Sequence, residues 1–148
     1  MKLADTVGLV LTRKATDTIW YVTPEQSVFE AIEKMAEKGI GALLVMSEGK
    51  LVGILSERDY ARKVILLARS SKDTPVHAIM TSSVMYVRFD NTTEECMRLM
   101  TENRLRHLPV MDGARLVGLV SIGDLVKDII SEQQFIIEQL EHYITGGR

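Results

Sequence analysis

The sequence predicts an α+β fold in which one βαββα unit is used twice in tandem and closed by a long C-terminal helix. Three observations carry this expectation. The first is a repeat: Gly53-Ile54-Leu55-Ser56-Glu57-Arg58-Asp59 returns sixty-five positions later as Gly118-Leu119-Val120-Ser121-Ile122-Gly123-Asp124. The match extends without a gap over residues 22–64 and 87–129, with roughly a dozen identical pairs among forty-odd, a length hard to reach by chance. The second is the order of periodicities, since in each copy a helical spacing is followed by two apolar runs split by a tight polar turn. The third is the capping chemistry written before each helix.

Taken in order, residues 1–18 read as a lead-in that packs on the rest, with Val7, Val10 and Leu11 on one side of a short helix. Ile19-Trp20-Tyr21-Val22 is β-branched and aromatic, which predicts a strand, and Pro24 ends it. Ser27-Val28-Phe29-Glu30 is a capping box, after which Val28, Ala31, Ile32 and Met35 define the buried face of a helix that stops at Gly39. Residues 42–46 and 51–55 form a buried hairpin about Ser47-Glu48-Gly49-Lys50, and Ser56 opens a helix reaching to about Arg69. The second copy repeats this with a strand at 84–87, a capping box at 92–95, a helix through Cys96 and Met100, and a hairpin of residues 108–111 and 116–120. The expected segments are a lead-in at 1–18, a first unit at 19–69, a polar connector at 70–75 closed by Pro75, a second unit at 76–130, and a helical extension and tail at 131–148. In that last helix Val126, Ile130, Gln133, Ile137, Leu140 and Ile144 form a seam of 4-3-4-3-4 spacing, suited either to a partner helix or to the body of its own domain.

Composition narrows the function. The chain has 148 residues and a formal net charge of −2, with no dense run of Lys and Arg, so a nucleic-acid surface is not expected. No apolar run is long enough to span a membrane, and Asp5 interrupts the N-terminus where a signal peptide would turn apolar. The single cysteine, Cys96, has no partner for an internal disulfide and reads as a small apolar helix residue, which fits a cytoplasmic protein. His77, His107 and His142 share no metal-ligand spacing, and no nucleophile elbow or Gly-rich phosphate loop occurs, so neither a catalytic nor a metal site is expected.

Ser56 to Asp59 and Ser121 to Asp124 admit two readings. Each is a Ser-x-x-Asp capping box, with the aspartate bonding back to the serine amide and complementing the positive helix end. Each also places a carboxylate and a hydroxyl at a helix start beside an apolar hairpin, a setting suited to the vicinal hydroxyls of a ribose.

The twofold βαββα plan, the Gly-h-h-Ser-x-x-Asp stretch (h, aliphatic) closing each copy, the run Arg106-His107-Leu108-Pro109-Val110 and the lead-in Val76-His77-Ala78-Ile79-Met80-Thr81 together resemble the tandem form of the cystathionine β-synthase (CBS) domain family, over nearly the whole chain. The resemblance implies two CBS units packed about a pseudo-twofold axis, with clefts for AMP, ADP, ATP, NAD or S-adenosylmethionine. By that resemblance Asp59 or Asp124 holds the ribose hydroxyls, and Ser56 or Ser121 bonds ribose or phosphate. Adenine lies among aliphatic side chains near Ala42 and Leu43 in one unit and His107 and Leu108 in the other. Arg58, Arg106 and His107 meet phosphate, and Thr81 touches the ligand, its first-unit counterpart falling within residues 14–18. Leu44 stands where the second unit has Pro109, a difference bearing on backbone presentation. The implied protein is a non-enzymatic, adenine-nucleotide-binding regulatory module with no catalytic cofactor. It would form a homodimer and signal to a separate effector protein, the alternative being a structural adaptor whose clefts bind nothing.

Overall fold

The computed structural model describes residues 5–14 and 19–144. They fall into two compact units, Ile19–Met85 and a second one made of residues 5–14 with 86–144.

In the unit Ile19–Met85, β1 (Tyr21–Val22) runs parallel to β2 (Ala42–Ser47), which pairs antiparallel with β3 (Lys50–Ser56) in the order β1-β2-β3. The expected four-residue first strand is thus only two residues long, because only Tyr21 and Val22 find partners on β2, at Leu44 and Val45. The connecting helix α2 (Val28–Lys38) starts where the Ser27 hydroxyl accepts the Glu30 amide and ends at Gly39, whose φ of 65° lies in the left-handed region that glycine enters without penalty. Its predicted face is realised, with Val28, Ala31 and Met35 buried against Leu43, Val45 and Leu55, and Ile32 packed at the margin. The hairpin turn places Glu48 and Gly49 at positive φ, as a two-residue turn requires.

The helix predicted after Ser56 is interrupted. Four residues, α3 (Glu57–Tyr60), are α-helical; Ala61–Ile65 then forms a π turn, in which the Leu66 amide bonds to the Ala61 carbonyl and that of Arg69 to Val64. Val64 stays in the core while Ile65, Leu66 and Leu67 face outward.

Residues 70–75 are bonded into this unit rather than hanging free. The amides of Val28 and Phe29 at the start of α2 donate to the carbonyls of Thr74 and Ser71, and Pro75 bridges to Ser27. Beyond them, Val76 and Ile79 lie in the same core, and Met80 and Thr81 line the back of β3.

The other unit repeats the plan with β4 (Val87–Arg88), α4 (Thr93–Asn103), β5 (His107–Asp112) and β6 (Arg115–Ser121) in sheet order β4-β5-β6. The strand expected at 84–87 is again only a two-residue parallel pairing, Val87 with Val110 and Arg88 with Met111. Thr92 and Glu95 complete their capping box. Its covering segment is the chain's own lead-in: α1 (Val7–Thr12) buries Val7 and Val10 among Val87, Cys96, Leu108 and Leu125, and Thr6 bridges to Thr92. Lead-in and 76–81 segment therefore take equivalent places in the two packing units, each laid over a strand glycine. A Cβ on Gly53 would meet Met80 Sδ at 2.6 Å, and one on Gly118 would meet Leu11 Cδ1 at 2.8 Å. The units of packing are offset from the sequence repeat for this reason.

Helix α5 (Ile122–Ile144) is continuous for 23 residues. Its fully buried residues, Leu125 and Asp128, lie in its first two turns, and Glu132 in the third accepts the Asp5 amide. Of the two readings of its seam, packing on its own unit is not what occurs: Ile130, Ile137, Leu140 and Ile144 are 60, 47, 56 and 80% exposed. Among the described residues no helix is long and apolar enough to cross a membrane.

Candidate functional site

Both Ser-x-x-Asp turns stand at the mouth of a hairpin, and register places them there: Ser56 lies opposite Ala42, and Ser121 opposite His107. The Glu57 amide donates to the Gly41 carbonyl and that of Ile122 to Arg106, so each helix start is tied to the residue preceding the facing strand.

In the first turn the Ser56 amide and hydroxyl donate to Asp59 Oδ2 at 2.9 and 3.1 Å, while the Asp59 amide donates to Ser56 Oγ at 3.2 Å. Asp59 Oδ1 faces the Lys63 ammonium, one helical turn on, at 3.4 Å, and Lys63 also donates to the Ile79 carbonyl. In the second turn the Ser121 amide donates to Asp124 Oδ2 at 2.8 Å and the Asp124 amide to Ser121 Oγ at 3.1 Å. The capping reading of both stretches is therefore correct as structure. The caps use Oδ2 in each case, which leaves Asp59 Oδ1 to Lys63 and Asp124 Oδ1 outside the cap.

The cation at each aspartate is the feature that residue-by-residue reading missed. The sequence counterpart of Lys63 is Asp128, which cannot neutralise Asp124. The charge comes instead from the lead-in: Lys14 Nζ sits 3.0 Å from Asp124 Oδ2 and donates to the Leu119 carbonyl at 2.9 Å. Burial pushes the Asp124 pKa up, but the Ser121 amide and Lys14 outweigh it, so the carboxyl titrates below its ordinary value. His107 is held below its usual pKa chiefly by burial, aided by Lys14 and Arg106 and opposed by Asp124, which favours the neutral imidazole. A cleft of about 440 Å³ opens beside Asp124, lined by Val10, Arg13, Lys14, Lys127, Asp128 and Ser131 among others.

The remaining expected contacts divide by burial. Ala42, Leu43, Leu108 and Pro109 are buried strand residues, so they can offer backbone edges and apolar walls but no side-chain polarity. Arg58 and Arg106 carry exposed side chains. Thr81 pairs through its backbone with Ile54, its amide donating at 2.9 Å and its carbonyl accepting at 3.0 Å. The expected range for its first-unit counterpart is 14–18, of which residues 15–18 lie outside the described part of the chain. A smaller hollow of about 280 Å³ lies between α2 and Gly39-Ile40-Gly41, edged by Glu57.

Two hairpin sheets, each with a crossing helix and a capped aspartate at its mouth, define a tandem module of the CBS type, and residues 11–66 and 76–131 each match the CBS domain. The chain belongs to the CBS domain family as a tandem pair. It is 39% identical over 140 residues to the mitochondrial CBS domain-containing protein CBSX3 of Arabidopsis thaliana, covering 90% of this chain and 68% of that protein. Among solved structures, a protein with CBS domains from Burkholderia ambifaria, for which a signal-transduction role is suggested, is 56% identical with a TM-score of 0.85, covering 87% of this chain and 96% of that one. The CBS domain pair of the protein MJ0100, solved with 5′-methylthioadenosine and S-adenosylmethionine, is 25% identical with a TM-score of 0.74, covering 87% of this chain and 98% of that pair.

Proposed function

We propose that this protein is a regulatory module that binds an adenosine-containing ligand of the AMP, ADP, ATP or NAD type at Asp59, Asp124 or both, and that a separate effector protein reads the bound state. The observation that carries this reading is the pairing of each capped aspartate with a lysine, Lys63 in one turn and Lys14 in the other. A carboxylate with one oxygen committed to a cap can accept from vicinal hydroxyls with the other, and an adjacent ammonium suits a phosphate attached to the same sugar. Ser56 and Ser121 stand beside it, with the buried edges of β2 and β5 for the base. The adenosine compounds held by the MJ0100 pair support the same ligand class. Regulation would follow from differential affinity, since a ligand shifts a conformational equilibrium only as far as it distinguishes the states.

Titration calorimetry with AMP, ATP, NAD, S-adenosylmethionine and adenosine tests the reading. Saturable binding of at least one nucleotide is expected, with AMP tighter than adenosine and the difference reduced by Lys14→Met or Lys63→Met. The completed capping boxes favour one rival, a structural adaptor that keeps Ser-x-x-Asp only to start helices. A folded protein that binds none of the five compounds would establish that rival.

A further inference from the structure

Three carboxylates from distant parts of the chain meet beside α1: Asp5, Asp128 and Glu132, with one oxygen from each lying within 4.8 Å of the others. Asp5 is held on both sides, its amide donating to Glu132 Oε1 at 2.9 Å and its carbonyl accepting from the Thr93 amide at 2.8 Å. Among the described residues the cation bonded to this cluster is the Arg13 guanidinium, whose Nη1 lies 2.6 Å from Asp5 Oδ2 and 2.8 Å from Asp128 Oδ1. The other oxygen of Asp128 has no partner. Its side chain is only 3% exposed, and Oδ2 is buried with nothing donating to it. A buried carboxylate oxygen with no donor is destabilising, and Asp128 Oδ2 is the buried side-chain atom among the described residues left in that state.

We propose that Asp5, Asp128 and Glu132 bind a hard divalent cation, Mg²⁺ or Ca²⁺, which joins the N-terminal lead-in to α5. The charge count agrees: three carboxylates and one guanidinium leave −2, which a divalent ion neutralises. The donor set also agrees, since it is all oxygen, with no imidazole or thiolate to favour zinc or copper. Asp128 Oδ2 gains the partner it lacks, and Arg13 retains its bonds to the opposite oxygens. Asp128 and Arg13 also line the cleft beside Asp124, but the three carboxylates are distinct from those of the Ser-x-x-Asp turns.

The test uses the full chain stripped with EDTA at pH 7.5 and titrated calorimetrically with MgCl₂ and with CaCl₂, alongside thermal denaturation. One ion per chain is expected, with Tm rising by about 5 °C or more at a hundredfold excess over Kd. Asp128→Asn and Glu132→Gln should abolish the effect while circular dichroism shows the fold retained. Should both variants fail to fold, Asp5→Asn, at the open edge of the cluster, should weaken binding at least tenfold. No binding heat and no Tm change beyond that of NaCl at matched ionic strength overturns the proposal, as does undiminished binding by Asp128→Asn or Asp5→Asn.

Discussion

Replacing Asp124 by asparagine separates the two jobs assigned to that side chain. Asparagine can still accept the Ser121 amide through its carbonyl oxygen, so the cap bond at 2.8 Å persists and only the charge is lost. The charge is engaged with Lys14 at 3.0 Å, where both side chains are partly exposed, so its removal should lower stability by about 0.5–1 kcal/mol. Asp124→Ala deletes the cap acceptor as well and should cost about 1 kcal/mol more. Ligand binding responds on a different scale, since losing a charge-assisted bond to a ribose hydroxyl weakens affinity by about 1.5–3 kcal/mol, roughly 10- to 150-fold. The assay pairs chemical denaturation with calorimetric titration of AMP on parent, Asn and Ala variants, and repeats both on Asp59→Asn, because either turn can hold the ligand. Loss of affinity in an Asn variant that is nearly as stable as the parent supports the ribose contact. Parent-like affinity in both Asn variants and in the double variant would refute it and leave the aspartates as caps.

Other expectations follow from the same geometry. Asp124 and His107 both have depressed pKa values in the folded state, so each contributes stability that is complete above its unfolded pKa and lost as pH falls toward its folded pKa. Stability should accordingly begin to decline below about pH 6.5 through His107 and decline again below about pH 4 through Asp124, with His107→Gln removing the first step; an unchanged first step in that variant would contradict the assignment. Arg104 closes α4 at φ 54°, where α2 uses Gly39, so Arg104→Gly should raise stability by about 1 kcal/mol in denaturant unfolding, and a loss would mean that the arginine side chain outweighs the strain. The exposed seam of α5 predicts a homodimer: Ile130, Ile137, Leu140 and Ile144 could each contribute about 1.5 kcal/mol before the cost of association. Sedimentation velocity on the parent and on a chain ending at Ser131 checks this, a monomeric parent at high concentration or an undiminished dimer after truncation being the contrary result.

Local chemistry made much of this protein legible from its sequence. The Ser27, Ser56, Thr92 and Ser121 caps, the stop at Gly39, the face of Val28, Ala31 and Met35, and the hairpins about Glu48-Gly49 and Gly113 each depend on residues a few positions apart, and the repeat established them twice. The capped aspartates were legible for the same reason. Tertiary structure decided everything that spans the chain. β1 and β4 pair with their neighbours over only two residues each, and the helix after α3 widened into a π turn that keeps Val64 in the core. The lead-in was legible as an amphipathic helix, but its destination was not, because nothing local to Leu11 specifies that it covers Gly118. That placement carries Lys14 to Asp124 and Arg13 and Asp5 to Asp128, contacts separated by more than a hundred residues in sequence, and so the charges of the second site depend on a segment that no window of the repeat contains.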